Sequence, residues 1–437
     1  FIIVGAIIIC GILVLLAPRL APLIAPGFDQ EKIALTINLT RLMFLSPIFL
    51  GISAVFGSIL QSFSKFLVFS LAPIFYNLGI IFGALVLFNF WGIYGLGAGV
   101  ILGAFLHLLV QAPSVFYSGF RYQWILDFSQ AGFRRLGRLM GPRIISLLIS
   151  QFDLLIVTII GSTLASGSIA IFIFAYNLQS LPLGVIGISF ALAAFPILSR
   201  FSSQKNWPDF SKNFSHALRQ ILFFVIPLSA LFLILREQIV EVVFRHGFFG
   251  PNQFSQSAAG LTSQTLFYFS LGLFAMSINP LLSRTFFALE NSRTPLLIGV
   301  FTTAINVFSS LILVRYLSVA GLALGLTLAN FVYSGLSWFF LKREVKKYFT
   351  LTDGKEILDE KNIFISLAKI VFASLAAAAA AYLILSLTAP LMNLKTTLGI
   401  FVQGLVAGSA GLLIYCLLTF ILRSPEIVGL LRNFKNR

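Results

Sequence analysis

A chain that is almost entirely membrane-length apolar runs can fold in very few ways. Twelve such runs follow one another here, near residues 1–24, 33–61, 67–90, 94–118, 141–161, 166–198, 214–235, 257–289, 295–316, 319–341, 363–388 and 395–422. About 20 apolar residues in a helix cross the hydrocarbon core of a bilayer. Backbone groups in lipid must find partners within their own segment, so the runs are expected to be helices. The alternating segments of about ten residues that build a membrane barrel do not recur. Composition agrees: 58% of the 437 residues are hydrophobic and 10% charged, more apolar surface than a soluble domain can hide. The expected fold class is an all-α polytopic membrane protein.

Loop charge then orients the helices. Lysine and arginine taken by alternate loops divide 22 to 7, with Lys369 inside a helix. The richer side carries Arg121, Arg134, Arg135, Arg138 and Arg143, the cluster from Lys342 to Lys361, and the tail from Arg423 to Arg437. Positive loops stay cytoplasmic, so the first run starts inside and the C-terminus ends inside. The net charge of +16 is thereby read as a topology signal, with attraction to anionic membrane lipids as a secondary reading and no nucleic acid partner. Residues 127–139, DFSQAGFRRLGRL, place apolar groups at helical spacing among basic ones and read as an interfacial helix.

An internal echo suggests how the runs are grouped. Gly95-Leu96-x-x-Gly99 opens the fourth run and Gly321-Leu322-x-x-Gly325 the tenth, each after a run bearing an intramembrane asparagine, Asn77 and Asn306. Two parallel repeats of six helices would produce this pattern, a transporter architecture. Residues 141–341 supply six runs and residues 1–118 only four. Together with a start at Phe1 inside an apolar run, this reads as a chain lacking two upstream helices.

The stretch 141–201 carries a family likeness. Its Gly-Pro entry, the Ser150-Gln151 pair, LASGS at 164–168, LPLGVIGIS at 181–189 and the closing FPILS resemble the MurJ/MviN lipid II flippase family, as do LIAPGF at 23–28 and SRTFFALENSRTP at 283–295. That family sits in a superfamily of multidrug and polysaccharide-lipid exporters. The resemblance implies fourteen helices, two six-helix lobes plus a C-terminal pair, of which this chain holds about twelve. The expected division is 1–118, an N-terminal lobe without its first two helices; 119–140, a cytoplasmic interfacial linker; 141–341, the C-terminal lobe; 342–362, a cytoplasmic loop; 363–422, the C-terminal pair; and 423–437, a basic tail. The implied activity is transfer of undecaprenyl-pyrophosphate-linked peptidoglycan precursor, lipid II, from the inner to the outer leaflet of the bacterial cytoplasmic membrane. Alternating access in a monomer is the implied mechanism.

The candidate substrate contacts are Arg143, Gln151, Asn177, Gln179 and Ser180. Polar groups at membrane depth face a bundle or a cavity, although the same amides could equally serve as glue between helices. Arg143 follows Pro142 in the first turn of its run, where the helix end adds positive potential for a phosphate. The resemblance implies an arginine where this chain has Asn177, and an amide lacks the charge and the bidentate fork of a guanidinium. Pro182, Gly184 and Gly187 should kink the sixth run and are candidates for gating. The resemblance implies a cation site on the helices that carry Asp153 and Asn306, which makes this pair a candidate site for a coupling cation, Na+ or H+, while the position aligned with the family's acid is Val157. The alanine run Ala376–Ala381 presents a small-residue face, fit either for a lipid tail or for close helix packing. His107 and Gln111, one turn apart with a single imidazole, read as a packing pair rather than a metal site.

No glycine-rich phosphate loop, metal cluster or catalytic triad is visible, so a transporter rather than an enzyme is expected, with no cofactor beyond a coupling cation. The competing readings are another exporter of the same superfamily and a non-transporting membrane scaffold.

Overall fold

The computed structural model describes residues 2–120, 151–245, 254–349, 359–394 and 396–427. They form twelve helices: α1 Ile2–Ile24, α2 Gln30–Ser62, α3 Phe66–Trp91, α4 Ile93–Tyr117, α5 Gln151–Ser162, α6 Ser168–Ser203, α7 Trp207–Arg245, α8 Gln256–Ala288, α9 Arg293–Leu317, α10 Val319–Phe349, α11 Glu360–Thr388 and α12 Thr397–Ile421. Eleven are long and apolar enough to span a bilayer; α5 is shorter in its described part. The interfacial helix expected at 127–139 and the first half of the fifth run, with Arg143, lie outside the described residues.

Two helices outrun their apolar stretches, because a helix stops where its chemistry stops it rather than where lipid ends. α7 starts at Trp207, not near 214: Asn206 caps it by accepting from the Asp209 amide, and Pro208 sits in its first turn, where a missing N–H costs nothing. α10 continues past Lys342 to Phe349 through a polar stretch without glycine or proline.

The chain divides into two compact units, residues 1–145 and 146–437. In the first, α3 and α4 touch along glycines. A Cβ on Gly79 would collide with the Gly103 backbone, and one on Gly83 with Gly99. In lipid there is no hydrophobic drive between helices, and close van der Waals approach of small residues replaces it. In the second unit α7 and α8 form the spine, with Phe210, Phe214, Ile221, Leu273 and Phe286 fully buried. α11 lies on α7 through Ala373, Ala377 and Ala381, all fully buried, and Gly411 of α12 meets Leu231 and the Ala377 carbonyl. Ala377 and Ala381, from the alanine run, thus serve helix packing.

The internal echo extends to backbone geometry. Gly92 and Ser318, three residues before Gly95 and Gly321, have nearly the same conformation, φ 54° and ψ −135° against φ 50° and ψ −135°. Gly95 abuts the Leu87 carbonyl and Gly321 that of Leu313, each eight residues back. The asparagines do not match as closely: Asn306 corresponds to a position one turn away from Asn77.

Candidate functional site

Within the second unit, α5, α6, α8, α9 and α10 enclose an open cavity of about 360 Å³. Two proline-bearing helices border it. Pro182 removes a backbone donor from α6, and a π-helical turn follows over Leu183–Ile188, with the Ser189 hydroxyl donating to the Gly184 carbonyl. α8 carries Pro280 at the same cavity. The helices cross there because Gly187 has no side chain: a Cβ would lie 2.7 Å from the Ser277 carbonyl oxygen.

Asp153 contributes the carboxylate of the wall. The Asn306 side-chain amide donates to its Oδ1 at 2.9 Å, and the Ser310 hydroxyl donates to Asn306 Oδ1 at 3.2 Å. Asn306 is 1% exposed and stands behind the acid. Among the described residues no cationic side chain forms an ion pair with Asp153. A carboxylate at membrane depth held by one amide is a group that can take a proton or a cation. Thr302 and Thr303 add hydroxyls to the same wall.

A second polar chain runs along α8 and α10. Ser334 donates to Asn279 Oδ1 at 2.6 Å, Asn279 Nδ2 donates to Asn330 Oδ1 at 2.9 Å, and Asn330 Nδ2 donates to the Leu326 carbonyl at 2.8 Å. Ser283 and Tyr333 share a hydrogen bond of 2.8 Å. Asn279, Ser283, Asn330 and Tyr333 all line the cavity. Sequence reasoning assigned none of these four to a site. The available signal was two polar pairs at i, i+4 spacing inside apolar runs, Asn279/Ser283 and Asn330/Ser334.

The sequence candidates separate on this frame. Asp153 and Asn306 come together. Asn177 is exposed on α6, and Ser180 bonds back to its carbonyl at 2.8 Å. Gln179 is fully buried, and its amide meets Met276 Sδ at 2.8 Å. Successive helix positions about 100° apart put it on the opposite face from Asn177. Gln151 is exposed at the start of described α5. Of the gating trio, Pro182 and Gly187 are packed against neighbours, whereas a Cβ on Gly184 would meet nothing within 4 Å. Val157, one turn after Asp153, is buried in the apolar core.

A sequence model of the family described as Lipid II flippase MurJ matches residues 1–402. The probable lipid II flippase MurJ of Buchnera aphidicola subsp. Acyrthosiphon pisum (strain APS) is 30% identical over 312 residues, 70% of this chain and 60% of that protein. That of Rickettsia prowazekii (strain Madrid E) is 27% identical over 343 residues, 78% of this chain and 66% of that protein. The chain therefore spans less than two thirds of the length of these curated relatives. Among solved structures, lipid II flippase MurJ in an inward closed conformation superposes with a TM-score of 0.76 at 23% identity, covering 96% of this chain and 82% of that one. An inward-facing multidrug resistance MATE family transporter of the MOP superfamily gives 0.67 at 15% identity, over 80% and 81% of the two chains. At these identities the likeness is one of fold.

Proposed function

Because this chain belongs to the lipid II flippase MurJ family, we propose that it moves a lipid-linked peptidoglycan precursor from the inner to the outer leaflet of a bacterial cytoplasmic membrane by alternating access. The family match over residues 1–402 is the observation that carries this reading. The eleven membrane-length helices supply the multi-pass body such a cycle needs. The substrate is undecaprenyl-pyrophosphate-linked, and the C-terminus is cytoplasmic, as the 22 to 7 division of loop charge argues.

Within this reading Asp153 is the coupling group. It takes Na+ or H+ on the cavity side, with the Thr302 and Thr303 hydroxyls available as further oxygens and Asn306 orienting the carboxylate from behind. The π-helical turn of α6 and Pro280 of α8 at the same cavity give the bound cation helices that can rearrange. Arg143, with Gln151, Asn177 and Ser180, serves the anionic end of the substrate. Arg143→Ala is expected to cost more transport than Asn177→Ala, since only the former removes a charge; equal, negligible effects would remove Arg143 from that role.

The test is rescue of a bacterium depleted of its own lipid II flippase by the full-length protein. Growth restored at wild-type shape is expected. Lysis despite good membrane expression would refute the reading.

A further inference from the structure

The first unit holds an ionisable group for which the lobe has no evident structural need. Between Arg41 and Lys65 on α2, and throughout α3 and α4, His107 is the only Asp, Glu, Lys, Arg or His. Two helices pack on α4 here, and their facing groups are Ser53 from α2 and Tyr76 from α3, whose ring meets the imidazole edge-on at 6.4 Å. Ser53 Oγ lies 2.6 Å from His107 Nδ1, receives the Gln111 side-chain N–H at 2.7 Å, and lies 3.2 Å from the His107 carbonyl oxygen. Ser53 and Gln111 are fully buried, and Gln111 Oε1 has no hydrogen-bond partner among the described residues.

This geometry satisfies Nδ1 in both charge states of the ring. When the imidazole is neutral with hydrogen on Nε2, the Ser53 hydroxyl donates to Nδ1. When Nδ1 is protonated it donates to Ser53 Oγ, and the hydroxyl turns to the His107 carbonyl. A hydroxyl can accept two hydrogen bonds while donating one, so the Gln111 bond persists in both states. One hydroxyl rotation therefore keeps the Ser53 hydrogen bond when a proton is taken up. The shared backbone turn sharpens the contrast between the units. His107 lies twelve residues after Gly95, and Tyr333 lies twelve after Gly321, so the second unit has a phenol at the corresponding place and carries its acid elsewhere, at Asp153.

We propose that His107, Ser53 and Gln111 form a reversible proton-binding site in the first unit, separate from Asp153. The test is 15N NMR of imidazole-labelled full chain in phosphatidylethanolamine–phosphatidylglycerol nanodiscs. The chain has three histidines, and His107→Gln identifies the signal. We expect a neutral ring in one tautomer, hydrogen on Nε2, converting reversibly to imidazolium between about pH 8 and about pH 5. Ser53→Ala should move the midpoint by about half a pH unit or more and mix the tautomers. Ser58→Ala, an exposed hydroxyl bonded back to Ala54 on the same helix, should leave it unchanged. Should Ser53→Ala fail to fold, Gln111→Leu takes its place; it removes the donor to Ser53 Oγ and is expected to shift the midpoint. A ring that stays neutral throughout, or a midpoint indifferent to both substitutions, overturns the proposal. The readout requires no flipping, so it stands or falls apart from the transport reading.

Discussion

The contrast between Asp153 and Gln179 shows how two polar groups at membrane depth part company. The acid faces a cavity and is held on one oxygen by Asn306. The amide of Gln179 is sealed against Met276, its oxygen without a partner. Asn306→Leu strips the donor from Asp153 and should cost about 1–3 kcal/mol in thermal unfolding of the purified protein. Asp153→Asn keeps the shape and should cost less, while abolishing any Na+ or pH dependence of transport that resides at this site. Retained cation dependence in that variant would sink the coupling role of Asp153. Gln179→Leu removes an unsatisfied buried acceptor along with its weak sulfur contact, so both stability and flipping should change little. A large transport loss in a stably folded Gln179→Leu protein would restore the residue to the substrate path.

Backbone approach decides behaviour at the level of the element. Gly187 lets α6 touch the Ser277 backbone, and Gly184, three residues earlier, faces open space. Gly187→Ala is therefore expected to lower the melting temperature markedly, and Gly184→Ala to leave it near wild type or raise it slightly by restricting the unfolded chain. Similar melting for both variants would contradict the packing role of Gly187. At the start of α2, Asp29 caps the helix by accepting from the Lys32 amide at 2.8 Å. That bond, reinforced by the Lys32 ammonium, holds the carboxyl below its ordinary value. A lowered folded-state value means the cap is fully in place above the ordinary carboxylate range and is lost as pH falls through the lowered value. Hydrogen exchange at the α2 N-terminus should accelerate in that acid window alone, and Asp29→Ala should show the fast rate at every pH.

For the whole molecule, the anchoring of the C-terminal pair is the largest feature not written in the hydropathy profile. Tyr415 of α12 donates to the Phe223 carbonyl of α7 at 2.6 Å. Glu426 is buried, accepts from Ser366 of α11 and from Ser424, and lies 3.8 Å from Arg219 of α7. Tyr415→Phe should cost about 1 kcal/mol. Glu426→Ala, which leaves Arg219 without its partner, should cost about 3 kcal/mol and free α11 and α12 to exchange amide hydrogens before α7 does. Uniform exchange across all three helices would show that the pair is not separately tethered. The sequence by itself determined the class of fold and the order of the helices, because lipid demands long apolar helices. Rare polar residues in apolar runs made Asp153 and Asn306 stand out, and the family resemblance paired them. Tertiary structure alone decided which polar groups meet: the Asn279–Asn330 chain, the closure of Gln111 onto Ser53, and the burial of Gln179 away from Asn177. Those outcomes depend on the rotation of each helix about its axis. Rotation is set by which glycines and alanines admit a neighbour, and an apolar run that is hydrophobic all round does not record it.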